Sequence, residues 1–224
     1  MSSKMRFHNP KRIAPIIIFS VLSVAVVFLL DILAVNYWLR SLIKIVVFGS
    51  CVFACAKPNL KSIFTPKKDK SVLISILIGL GVVGIVWGGY FILSKFFDFG
   101  TGAGGAANIG VHTDNYWLVT AYIVCINSLL EEVFFRGMCC LKLEEHSNKV
   151  FAYTFSSVLF ALYHITMVSN IMNPALTVIG IFGLLIAGIL FSNMNKRTEN
   201  IYNAWIVHAC ANIAINTIGW FLLA

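Results

Sequence analysis

Charge is sparse in this chain. Only 12% of its 224 residues are Asp, Glu, Lys or Arg, and the acidic ones number nine. An average soluble domain carries about twice that charged fraction, so an ordinary water-facing surface is excluded. Three further absences narrow the reading. The six cysteines (Cys51, Cys55, Cys125, Cys139, Cys140 and Cys210) contain no C-x-x-C spacing and no framework of the kind that staples small secreted domains. They read as small buried hydrophobes. The glycine-rich run GTGAGGAANIG, Gly100 to Gly110, is followed by no Lys-Ser/Thr and preceded by no strand, which rules out a phosphate loop and leaves a flexible external connection. No internal repeat, no soluble domain and no H-E-x-x-H pair occurs.

What is abundant is apolar. Hydrophobic residues make up 59% of the chain, and mean hydropathy is +0.86. Apolar runs long enough to cross a hydrocarbon core as helices lie at 13–35, 42–56, 72–93, 116–143, 150–168, 175–193 and 201–223. The fold class is therefore an all-α polytopic membrane protein with about seven spans, eight being the upper reading. Lys4, Arg6, Lys11 and Arg12 precede the first run as they would a secretory signal, but the run is too long and no small-residue cleavage site closes it.

A net charge of +8 could suggest nucleic acid, but its distribution points to lipid. All but three of the 17 basic residues fall on alternate connections, leaving Arg40, Lys44 and Lys95 for the opposite side. This positive-inside pattern predicts a cytoplasmic N-terminus, an external C-terminus, and basic loops against anionic headgroups. A multi-pass protein of the cell membrane, with the bilayer as partner and no nucleic acid, is expected.

The chemistry gathers in the second half. In LLEEVFFRG, Glu131 and Glu132 lie midway along an apolar span, where ionisable groups are costly and usually face a bundle interior or a cavity. Arg136 follows Glu132 by four residues, a spacing that joins side chains on one helical face. Glu131 points about 100° away and is left without a local partner. His164, on the next span, lies as far beyond the polar turn at 144–149 as Glu131 lies before it, so an antiparallel hairpin puts the two at equal depth. In the last span His208, Asn212 and Asn216 recur every four residues as a polar stripe, which should turn inward. His208 comes out shallower than the other two by counting. Residues 1–114 carry no chemical constellation, and Asp31 reads as interfacial. Two imidazoles, an unpaired carboxylate and an asparagine in one bundle can activate water and stabilise an oxyanion.

These residues resemble a known family. E-E-V-F-F-R-G at Glu131 to Gly137, F-A-L-Y-H at Phe160 to His164 and H-A-C-A-N at His208 to Asn212 are similar, in order, to the E-E-x-x-x-R, F-x-x-x-H and H-x-x-x-N motifs of the CPBP (CAAX protease and bacteriocin-processing, or Abi) intramembrane endopeptidases. The accompanying serine pair is present as Ser156 and Ser157. The resemblance covers roughly 116–216, within a single integral-membrane domain divided into N-terminal helices of unassigned role (1–114) and a helical core (115–224). It implies that Glu131 is the general base on a water also held by His164, that His208 and Asn212 stabilise the oxyanion, and that Glu132, Arg136 and Phe160 support the site. No cofactor is implied. The substrate would be a peptide or membrane protein cut near the cytosolic face, in peptide or bacteriocin maturation or in self-immunity. The alternatives are a zinc form of the same protease, with Glu131, His164 and His208 as ligands; a non-catalytic immunity or scaffold protein using the same cavity; and a proton-coupled transporter, for which the halves show no symmetry.

Overall fold

The computed structural model describes residues 9–64, 70–99, 107–171 and 173–223 and is built from helices, with no strand among those residues. In chain order they are α1 (Pro10–Ile32), α2 (Tyr37–Ile63), α3 (Ser71–Leu93), α4 (Tyr116–His146), α5 (Lys149–Tyr163), α6 (Ile165–Ile171), α7 (Pro174–Thr198) and α8 (Tyr202–Leu223). Seven helices are long and apolar enough to span a membrane, with α6 prolonging α5 into the fifth span, Lys149–Ser169. The protein is a multi-pass membrane protein. Most of the Gly100–Gly110 run lies outside the described residues, as do Lys67 and Lys68.

Helix ends follow local chemistry. Pro10 sits in the first turn of α1, where its missing N–H is no loss, so the helix starts and stops three residues before the apolar run does. Asn148 caps α5 by accepting from Phe151 N at 2.9 Å, and Asn173 caps α7 by accepting from Leu176 N at 3.0 Å, ahead of Pro174 in the first turn. At the far end of α7, Glu199 adopts a left-handed conformation (φ 52°) that reverses the chain into α8.

Within α4 the winding is unusual. Ile123–Asn127 and Glu132–Lys142 adopt the wider π-helical turn, with Glu131 at the junction. Ser156 of α5 donates to the Phe135 carbonyl at 2.7 Å, pinning the second of these stretches to its neighbour.

The bundle centres on α4, which packs against α2 and α5; α5 in turn packs on α7, α1 on α2, and α3 chiefly on α8. Phe48 of α2 is fully buried and stacks on Phe134 with centroids 3.8 Å apart, while Phe135 meets both edge-on. Leucines, isoleucines and phenylalanines are left exposed along outward faces, among them Leu22, Leu29, Leu80, Ile85, Phe182 and Ile186. Such a continuous apolar exterior is what a lipid-facing surface requires.

Contacts also group the connections by side. Asn9 N donates to the His146 carbonyl, and Lys196 pairs with Glu144 at 3.1 Å, so the ends of α1, α4 and α7 share one face. At the other face Arg40 pairs with Asp31, Thr166 Oγ1 donates to Asp31 at 2.7 Å, and Tyr116 donates to the Asn216 carbonyl at 2.8 Å. Not every basic residue sorted by side lies in a connection: Lys44 is buried inside the second span and Arg136 inside the fourth.

Helices α5 and α7 pack closely at Gly188, where an added Cβ would stand 2.9 Å from both Cα and Cβ of Ser157. Gly188→Ala is expected to cost about 1–3 kcal/mol by overpacking and to lower the melting temperature of the detergent-purified protein. Gly84→Ala, where no atom lies within 4 Å, is expected to leave it unchanged or slightly raised.

Candidate active site

Glu131 sits at the middle residue of the fourth span and is 1% exposed. Its two carboxylate oxygens have different surroundings. Oε1 accepts from Asn127 Nδ2 at 2.6 Å and from the Tyr163 hydroxyl at 2.9 Å, with the Lys44 ammonium 3.7 Å away. Oε2 has two imidazole neighbours, His164 Nε2 and His208 Nε2, each at 3.7 Å. That separation is too long for a hydrogen bond and short enough for one water to touch both sides.

The equal-depth argument for Glu131 and His164 therefore matches the geometry, with the turn at Ser147–Asn148 between α4 and α5. The depth expected for His208 does not. His208 is six residues into α8, yet it lies level with Glu131 because the start of α8 is enclosed by the other helices. Asn200, Ile201, Asn203 and Ala204 are all buried, at 3% exposure or less, so the helix begins inside the bundle. Trp205 holds it there by donating to Ser128 Oγ of α4 at 3.0 Å.

Both imidazoles are oriented from behind. His164 Nδ1 is 2.8 Å from the Phe160 carbonyl, which can only accept, so Nδ1 carries the proton and Nε2 of the neutral ring offers a lone pair toward Glu131. His208 Nδ1 is 2.9 Å from Glu132 Oε1. Glu132 is thus not a partner of Arg136 alone, as the four-residue spacing suggested. It also fixes the second histidine.

Arg136 is completely buried and approaches Glu132 Oε1 at 3.5 Å. Its guanidinium lies over the ring faces of Phe160 (4.0 Å), Phe191 (5.1 Å) and Phe135 (5.9 Å), an arrangement that stabilises a cation where water is excluded. Phe160 does more than line the core: its ring also meets His164 at 4.5 Å and His208 at 5.8 Å edge-on. The partner Ser157 lies in the tight α5–α7 contact.

Asn212 lies one turn beyond His208, half-buried, and its carboxamide makes no hydrogen bond among the described residues. Asn216, a further turn along and also half-buried, donates its amide to the Asn212 carbonyl at 2.8 Å.

Three residues of the site were not among the sequence candidates: Lys44, Asn127 and Tyr163. Lys44 hydrogen-bonds Asn127 Oδ1 and donates to the Tyr163 hydroxyl at 2.9 Å. The N-terminal helices, whose role the sequence leaves unassigned, therefore contribute a side chain here, and Glu131 does have a local partner one turn back, Asn127. The usable signals were a lysine inside an apolar run and an asparagine four residues before Glu131.

A comparison with protein families finds the description type II CAAX prenyl endopeptidase Rce1-like over residues 113–214. Residues 113–214 form an Rce1-like domain of the CPBP family. The domain takes in α4 through most of α8, so it contains every motif residue from Glu131 to Asn212 and excludes Lys44. No curated protein and no solved structure matches the chain. The CPBP assignment supports a membrane protease acting on a peptide or protein.

Replacing Arg136 by Met leaves Glu132 without a cation in a dry environment, and a broken buried pair costs about 3–5 kcal/mol. Arg136→Met is expected to lower the unfolding free energy of the purified protein by that amount, read as a lowered unfolding midpoint. An unchanged midpoint would mean that His208 alone supports Glu132.

Proposed function

We propose that this CPBP protein is an intramembrane endopeptidase in which Glu131 Oε2 activates a water for attack on a peptide bond near the cytosolic face. The observation that carries the reading is the asymmetry of the carboxylate. Oε1 is held by two hydrogen-bond donors, whereas Oε2 has no hydrogen-bond partner among the described residues and lies 3.7 Å from two imidazole nitrogens, close enough for one water beside them to bridge.

In this mechanism the water donates one proton toward Glu131 Oε2 and is oriented by the lone pair of His164 Nε2. Its oxygen bonds to the scissile carbonyl carbon, Glu131 takes the proton, and the carbonyl oxygen becomes an oxyanion. His208 and Asn212 stabilise that charge. Because Nδ1 of His208 already donates to Glu132, the ring donates through Nε2 only when doubly protonated. Collapse of the intermediate breaks the C–N bond, and the proton on Glu131 passes to the leaving amine. Glu132, Arg136 and Phe160 position the two histidines.

The reading takes the metal-free form. The residue resemblance points to it, and Asn212 is a poor zinc ligand. The basic face near the ends of α4 and α7 is assigned to the cytoplasm on the charge pattern. Maturation of a peptide or bacteriocin, or self-immunity, is the proposed biological setting, in the cell membrane.

The test compares membrane-derived and secreted peptides from a deletion strain complemented with wild type or with Glu131→Gln at equal protein level. A defined cleavage product should appear with wild type and fall by at least about a thousandfold in the variant, since the attacking water loses its base. It should persist when membranes are treated with 1,10-phenanthroline. If Glu131→Gln gives the same peptide profile and phenotype as wild type, the protein acts by binding rather than cleavage; loss of product with the chelator would establish the zinc form.

A further inference from the structure

The ionised Glu131 carboxylate can only accept, so Asn127 offers its NH2 and Tyr163 its hydroxyl proton to Oε1. Lys44 enforces both directions from the other side. An ammonium has three donors and no acceptor. Because it occupies Asn127 Oδ1, the amide NH2 is turned toward Glu131, 2.6 Å from Oε1. Because it donates to the Tyr163 oxygen at 2.9 Å, the phenol proton is left for Glu131, again at 2.9 Å. Two parallel bridges run from one lysine to one carboxylate oxygen.

We propose that Lys44 is the positioning residue for Glu131: it sets the donor direction of Asn127 and Tyr163, ties up Oε1, and leaves Oε2 as the reactive oxygen. The proposal rests on the reading of Glu131 as the base. Position supports the same assignment: the Lys44 ammonium lies 3.7 Å from Glu131 Oε1, as Arg136 lies 3.5 Å from Glu132 Oε1. Lys44 is also held in register. Phe48, one turn later on α2, stacks on Phe134, three residues after Glu131, so the same helix contact that buries the rings delivers the ammonium to the carboxylate.

Lys44 lies outside the segment that matches the CPBP family description, residues 113–214. The site of this chain is thus completed by a helix that is not part of that domain.

The experiment has two arms, both on the full-length protein. In the complemented strain, Lys44→Met is expected to lower the Glu131-dependent product at least about 100-fold at equal protein level, and Lys44→Arg to return it to within about tenfold of wild type, because an arginine keeps the charge and the donors. In detergent, without substrate, Lys44→Met should lower the melting temperature by more than about 5 °C, the order expected when one partner of a buried charge pair is removed. In a Glu131→Gln background the same change should shift it by less than half as much. Product within threefold of wild type in Lys44→Met, or loss that Lys44→Arg does not recover, overturns the positioning role. Equal melting shifts in the two backgrounds overturn the link to Glu131. The second arm is read without cleavage, so failure of the protease reading and failure of the Lys44 reading are told apart.

Discussion

Two carboxylates at the middle of a membrane-spanning helix are the constraint on which the rest of this structure turns. Neither can be left unpaired in hydrocarbon, where a single charge costs on the order of 2.5–3.5 kcal/mol even on lenient scales. The fold answers with two cations of different kinds. Arg136 comes from the same helix and is stabilised by three aromatic faces. Lys44 comes from another helix and works through hydrogen bonds. The Phe48–Phe134 stack, the wide turns of α4 and the buried start of α8 all bring side chains to one level around that pair of glutamates.

That level matters because reactive geometry tolerates little slack. A displacement of about 1 Å can cost a hundredfold in rate. The residues nearest the Oε2 side of Glu131 are accordingly braced from behind: His164 by a backbone carbonyl of its own helix, His208 by Glu132, and α8 itself by the Trp205 bond to α4. Phe160 touches Arg136 and both histidines, which gives the first residue of F-x-x-x-H a physical reason to be a large flat ring. Its face receives a cation while its edge meets two imidazoles, and an aliphatic side chain of similar volume offers neither.

Much of this was legible before any coordinates. Seven spans follow from apolar run lengths, and equal depth of Glu131 and His164 follows from their distances to the turn at 147–148. Both are properties of local chain geometry, which a sequence carries directly. The depth of His208 was misjudged because counting residues from a helix start assumes that the start lies at the surface, and only tertiary packing shows that α8 begins among buried residues. Lys44 was missed for a related reason. Sorting basic residues by connection assigns each to a side, and a lysine within a span is moved to the nearest loop by that bookkeeping. Its depth, not its sidedness, was the informative property. Tyr163 carries no spacing signal, because a tyrosine beside a histidine on a helix points about 100° away from it, and only the position of α5 against α4 aims it at Glu131.

The division of the chain into N-terminal helices and a chemical core therefore has a physical limit. Residues 115–224 hold two carboxylates, Glu131 and Glu132, and one fixed cation, Arg136, in a dry interior. They also hold Asn127 and Tyr163, each with a second polar contact to make besides Glu131 Oε1. Both deficits are met by a single side chain at position 44, carried by a helix whose main partner in the bundle is the π-helical part of α4. A core stripped of α2 would have to protonate Glu131, hydrate it or rearrange around it, and each of these changes the environment of the oxygen that faces the two histidines. Charge pairing and hydrogen-bond direction, rather than hydrophobic area alone, make the first helices part of the site.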